Sequence, residues 1–172
     1  MSKKIETFSH LHLHTSQGSF LDAVGKSEEY MQRAVELNQS CVAVTEHGSM
    51  ASAYEFQTQG DKYGIKTIIG NEMYCVSDRF RQGVAEAEKE GLTPTEVREE
   101  NRKRLKAPHL LLLAETDEGL QNLYRLNYYA NNEGFYGKPR IDLNLLAKHS
   151  KGLIATTTCV ISNMARYFQN KE

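Results

Sequence analysis

The run Cys41-Val42-Ala43-Val44-Thr45, a segment of helical spacing from Ala51 to Lys62, and the run Ile65-Lys66-Thr67-Ile68-Ile69 together decide the fold class. Two short apolar runs bracket an amphipathic stretch, the pattern of strand, helix and strand. Gly64 falls where a glycine commonly ends a helix, because it takes a left-handed conformation without a Cβ penalty. Two strands joined by a crossover helix lie parallel, and the right-handed crossover rule leaves few arrangements. The chain therefore reads as α/β, with parallel strands and helices laid over the sheet.

Toward the amino terminus, Phe8-Ser9-His10-Leu11-His12-Leu13-His14-Thr15 places histidines at alternate positions, which predicts a strand with all three rings on one face. A loop over residues 16–26 leads to a helix from Ser27 to about Asn38, with Ser27 as its cap. Toward the carboxyl terminus, Gly70 interrupts the third strand before Met73-Tyr74-Cys75-Val76. Residues 77–107 are charge-dense and read as a surface insertion within a single domain spanning 1–172. Thr93-Pro94-Thr95-Glu96 marks a helix start there, and the Arg98–Arg104 run reads as a solvated face with i,i+4 pairs. His109-Leu110-Leu111-Leu112-Leu113-Ala114 is a fourth strand, followed by a helix over 118–131 with Leu120, Leu123 and Leu126 on one face. A turn-rich connection over 134–140, a short helix over 142–149, a fifth strand over 152–156 and a last helix from about Ile161 complete the reading.

Composition bounds the function. A chain of 172 residues that is 40% hydrophobic and 25% charged holds one packed domain. Its net charge of -1 gives no footprint of a dedicated nucleic-acid binder, so any contact with DNA must be local. No apolar signal region opens the chain and no run approaches the ~20 apolar residues of a membrane span, which sets the expectation of a cytoplasmic protein without a membrane partner. Cys41, Cys75 and Cys159 lack C-x-x-C spacing, so reduced thiols are expected.

Several polar residues fall where strands end. On a strand rise of about 3.3 Å, rings two apart are roughly 6.6 Å apart at Cα, near enough to chelate one ion, whereas His10 and His14 at about 13 Å are not. In a parallel barrel, whose sites gather at the carboxyl ends of strands, the favoured pair is His12 with His14, and His10 lies deeper. His47 and Glu72 stand at strand ends, Asp22 lies in the loop after the first strand, and Cys159 follows the fifth. Imidazole with carboxylate suits zinc, manganese or iron, and this many ligands fits two or three divalent ions. Each residue has a plainer alternative: His47 as part of a turn, Glu72 as a cap or solvated, Asp22 as a turn residue, Cys159 as a small apolar group. His109 opens its apolar run, which a strictly parallel sheet puts at the wrong end; either the preceding loop carries it to the rim or it is structural. The aromatics from Tyr124 to Tyr136, near Lys138 and Arg140, either stack on a single strand of nucleic acid or pack the barrel.

The motifs His10–Thr15, Thr45-Glu46-His47-Gly48, Ile68-Ile69-Gly70-Asn71-Glu72, His109–Ala114 and Glu133–Asp142 occur in the order and spacing of a known domain. The chain resembles the PHP (polymerase and histidinol phosphatase) family over nearly its whole length. The Gly134-Phe135-Tyr136-Gly137-Lys138-Pro139-Arg140-Ile141-Asp142 stretch is similar to the branch at the amino terminus of bacterial DNA polymerase III alpha subunits. That resemblance implies a distorted (β/α)7 barrel with a trinuclear metal centre, its matching ligands being His12, His14, Asp22, His47, Glu72, His109 and Cys159, with Glu72 as the bridge. Glu46 stands where the family usually has aspartate. The family's closing Asp-x-His pair has no counterpart within 172 residues, so the barrel is expected to be incomplete, missing its last strands, and this stretch alone to bind metal poorly.

By the same resemblance, the activity implied is metal-dependent phosphoester hydrolysis of a 3′ to 5′ exonuclease type, inside a nucleotidyltransferase that replicates DNA. The implied partners are DNA, the rest of the alpha subunit and a proofreading subunit. Two other functions remain open: a non-catalytic scaffold module of the polymerase, and a stand-alone phosphatase of the histidinol-phosphate kind.

Overall fold

The computed structural model describes residues 8–85, 88–158, 162 and 165. Among the described residues five helices and five strands alternate: α1 (Ser27–Glu36), β1 (Cys41–Val44), α2 (Ala53–Tyr63), β2 (Lys66–Val76), α3 (Pro94–Arg104), β3 (His109–Ala114), α4 (Asp117–Asn132), β4 (Arg140–Asp142), α5 (Leu143–Lys148) and β5 (Leu153–Thr156). The expected helix from about Ile161 lies outside the described residues, apart from Ser162 and Ala165.

The α/β class stands, but the sheet is mixed rather than parallel. β2 pairs with β1 and β4 in parallel and with β3 antiparallel, and β5 is antiparallel to β3. Among the described strands β3 alone is reversed. Hydrophobic pattern reports that a strand is buried, not which way it runs, so the sequence carried no sign of this.

β2 organises the sheet. Its first half pairs with β1 from Lys66 to Ile69, its middle with β3 from Gly70 to Tyr74, and its end with β4 from Tyr74 to Val76. Gly70, expected to break the strand, instead continues it. A Cβ there would lie 2.6 Å from the Leu112 carbonyl oxygen and 2.9 Å from Thr45 Cγ2, so only glycine lets three segments close around this point.

The two faces of the sheet differ. On the outer face, Val42 and Val44 pack with Met31, Ala34 and Phe56 of α1 and α2, while Met73, Cys75, Leu112 and Ile141 pack with Leu123, Leu126 and Ala130 of α4 and Leu145 of α5. Each fully buried Leu or Met contributes about 1.5–3 kcal/mol, which is what holds these helices in place. α3 buries no residue; a Thr93 and Glu96 capping box and the Glu100–Arg104 pair support it instead. The inner face carries Ala43, Leu111 and Leu113, and period two along β2 and β3 places Glu72, Tyr74 and His109 on it as well.

The histidine segment is not a regular strand. Ala43 donates its backbone N–H to the His10 oxygen and Thr45 donates to the Leu13 oxygen, so three residues of one segment span two of the other. The extra residue, at a bend on His12, breaks the period of two in the manner of a bulge. His10 is thereby turned out to solvent, in edge contact with Phe8, rather than lying deeper in a barrel.

Candidate metal centre

Four histidines surround one carboxylate. Glu72 is 1% exposed; its Oε2 lies 2.8 Å from His12 Nε2, 3.1 Å from His14 Nε2 and 3.4 Å from His47 Nδ1, and its Oε1 lies 2.7 Å from His109 Nδ1. Asp22, more than half exposed, stands at the rim with Oδ2 3.5 Å from His47 Nε2. These residues come from four regions of the chain: the bulged segment and its loop, the turn after β1, the middle of β2 and the start of β3.

Each placement has a local cause. His47 follows β1, where Glu72 donates its N–H to the Glu46 carbonyl and Gly48 donates to the Glu72 carbonyl, extending the parallel pairing past β1. Gly48, at φ 58°, turns the chain away immediately afterwards. His109 reaches the site because β3 is reversed: its first residue stands opposite Tyr74, next to the end of β2 that carries Glu72. His12 and His14 are held by the Thr45 contacts to Leu13. The fully buried Thr15 donates its N–H and hydroxyl to the Glu46 carboxylate, which also accepts from Ser52 Oγ. Glu46 Oε2 lies 3.9 Å from His14 Nδ1, so it anchors the segment from behind.

The electrostatics suit a cation. Burial pushes the Glu72 carboxyl up, but hydrogen bonds from His109, His12 and His14 and the charge of His47 outweigh it and hold the group well below the usual carboxylate range. Burial pulls His47 down; Glu72 opposes that shift and His14 reinforces it. An ionised carboxylate beside imidazole held neutral is the protonation state metal binding requires. His14 Nδ1 and His47 Nδ1 are buried without a hydrogen-bond partner. Buried polar atoms are rarely left so; His47 Nδ1 stands 3.4 Å from Glu72 Oε2, where a cation bound to that carboxylate would satisfy it, whereas His14 Nδ1 faces Glu46 at 3.9 Å. Two triplets, His12–His14–Glu72 and His47–Glu72–His109, each bring one ligand atom per residue within 4.8 Å of one another, and Glu72 belongs to both. The residues therefore fit divalent-cation binding, with Glu72 common to both triplets.

Of the seven expected ligands, His12, His14, Asp22, His47, Glu72 and His109 line one cavity of about 400 Å³. Cys159 lies outside the described residues. Two further lining residues, Tyr74 and Lys138, escaped notice as parts of this site. Tyr74 was legible in principle, two residues past Glu72 on the same strand face. Lys138 had no local signal, since a loop delivers it. Arg140, near the aromatics that the sequence offers for stacking on nucleic acid, is 3% exposed and donates to backbone carbonyls. Of the neighbouring aromatics, Tyr129 packs on the core, whereas Tyr124, Tyr128 and Phe135 are exposed.

A carboxylate ringed by histidines on one face of a mixed α/β sheet has the ligand chemistry of a metal site, and the chain belongs to the PHP domain family, whose model matches residues 10–172. Its relatives include the DNA polymerase III subunit alpha of Aquifex aeolicus, 41% identical over 89% of this chain and 12% of that protein. The subunit of the same name from Helicobacter pylori strain 26695 is 39% identical over 92% and 12%. The chain thus spans about an eighth of the length of these curated relatives. Among solved structures it is similar to a candidate metal-dependent phosphoesterase from Bifidobacterium adolescentis, with 14% identity, a TM-score of 0.43, and coverage of 73% of this chain and 33% of that one. Among the described residues no helix is long and apolar enough to cross a membrane.

Proposed function

We propose that this domain is a metal-dependent phosphoesterase of the phosphodiester-hydrolysing class, working as a 3′ to 5′ exonuclease-type site within a DNA polymerase III alpha subunit. The observation that carries the reading is Glu72, whose two oxygens are approached by four histidine nitrogens at 2.7–3.4 Å. In this reading His12 and His14 with Glu72 hold one ion, and His47 and His109 with Glu72 hold a second. Asp22 and Cys159 extend the set, and zinc, manganese or iron suits it. Bound ions of this kind lower the pKa of a coordinated water toward ~7 and neutralise phosphoryl oxygens.

The chain's own residues do the rest. Glu72 stays ionised and fixes the spacing of the two histidine pairs. Glu46, through Thr15 and Ser52, keeps the bulged segment from relaxing. Tyr74 walls the cavity, with its hydroxyl pushed up by burial and by Asp22 and Glu72, so it remains a neutral donor. Identity to alpha subunits supports a cytoplasmic setting with DNA and the rest of the polymerase as partners, a proofreading subunit among them. Helix α3, which buries nothing, lies outside this chemistry.

The test is metal content by elemental analysis of the full-length protein against a His12→Ala, His14→Ala double variant. Loss of at least one equivalent supports the reading; equal content in both favours a scaffold role.

A further inference from the structure

We propose that Lys138 is the phosphate anchor of this site, its ammonium binding a non-bridging oxygen of a phosphoester held beside the Glu72–histidine cluster. The inference rests on the phosphoesterase reading and names a substrate-binding residue for it. Lys138 lines the same cavity as His12, His14, Asp22, His47, Glu72, Tyr74 and His109, and its Nζ stands 4.5 Å over the Tyr74 ring centroid. It is the only lysine or arginine among those lining residues. A phosphoester entering this space meets two carboxylates, Asp22 and Glu72, beside the histidines. Bound metal would neutralise only the phosphoryl oxygens it touches, and among the described lining residues Lys138 is the protein cation in position for an oxygen the metal leaves free.

The loop that carries Lys138 is fixed at both ends. The Arg140 guanidinium donates to the Gly134 carbonyl at 2.9 Å, to Arg81 at 2.7 Å and to Arg79 at 2.8 Å, closing the base of the loop. A Cβ on Gly134 would fall 2.0 Å from the Arg140 carbonyl oxygen, so this closure requires glycine. Gly137, at φ 67°, turns the chain before Lys138, and Tyr136 donates its N–H to the Lys138 carbonyl. Pro139 then seats on Gly48, where an added Cβ would lie 2.7 Å from Pro139 Cγ. That seat puts Lys138 next to the residue that follows His47. The ring contact orients the side chain while leaving the three ammonium donors for an incoming oxyanion.

The experiment uses the full-length protein loaded with manganese, inorganic phosphate as the calorimetric probe, and bis(p-nitrophenyl) phosphate for kinetics. Lys138→Gln should keep the wild-type metal content while binding phosphate about tenfold or more weakly and raising KM. Lys138→Arg should stay within about threefold of wild type, since it keeps the charge. If the wild type is metal-loaded and Lys138→Gln binds phosphate within about twofold of it, the Lys138 assignment is overturned and the metal reading stands. A wild type that takes up no metal overturns both.

Discussion

His109 Nδ1 lies 2.7 Å from Glu72 Oε1 because β3 runs against β2, which brings the first residue of one strand beside the middle of the other. Were β3 parallel, His109 would stand at the opposite end of the sheet. One reversed strand thus supplies the fourth imidazole of the cluster, and the site depends on topology as much as on residue type.

Glu72→Gln keeps the side-chain volume and removes the charge shared by both triplets. Added manganese or zinc should raise the Tm of the wild type and leave that of the variant nearly unmoved, because a ligand stabilises only the state it binds. Thermal scans with and without metal check this, and an equal shift in both proteins would contradict the bridging role.

Glu46→Ala removes no proposed ligand but releases Thr15 and Ser52 from behind the His12–His14 segment. Loss of such an outer partner costs about 10–100-fold in metal affinity. Competition with a chromophoric chelator measures it, and unchanged affinity would show that the segment holds itself.

Asp142 caps α5 at Leu145 N and accepts two bonds from the Arg79 guanidinium. Burial raises its pKa, but the Leu145 and Arg79 contacts prevail and the net shift is downward. A carboxyl with a depressed folded pKa adds stability that is present above its unfolded value of about 3.9 and lost as pH falls through the folded one. Asp142→Asn should therefore be destabilised at pH 7, by up to about 3 kcal/mol for a broken buried pair, with a smaller gap to wild type at pH 3. Urea midpoints at the two pH values provide the comparison.

Burial pushes the Cys75 thiol up to about 11, with Asp142 adding to the effect. Little thiolate exists at pH 8, so Cys75 should resist iodoacetamide in the native protein and react once urea is added. Peptide mass spectrometry reads this, and rapid native alkylation would place Cys75 outside the core.

Gly70→Ala sets a methyl group against the Leu112 carbonyl and Thr45, and backbone cannot yield as a flexible side chain does. A destabilisation of about 1–3 kcal/mol is expected, the range for overpacked cores. A urea midpoint equal to wild type would mean that β2 does not close on both neighbours there.

How far the sequence carried this account depends on what is local. β1, β3 and α4 lie within a residue or so of their expected bounds because each is a self-contained periodic pattern with its own caps. β4 was missed: three residues between a glycine-rich loop and a helix cap are too few to show alternation. The reversal of β3 and the bulge at His12 were invisible for another reason, since both are set by pairing with residues far along the chain. The same gap explains the site. His12, His14, His47 and Glu72 are marked as candidates by spacing and strand ends, whereas His109 falls in place only with the direction of its strand. Lys138 depends on Pro139 meeting Gly48 across 91 residues, and no local pattern encodes that contact.

The most direct test of the central claim is an anomalous difference map from crystals of the full-length protein grown with manganese. The account predicts two peaks flanking Glu72, each about 2.0–2.2 Å from a carboxylate oxygen or histidine nitrogen, one beside His12 and His14 and one beside His47 and His109. Maps from manganese-saturated crystals with no peak within about 4 Å of Glu72 would contradict it.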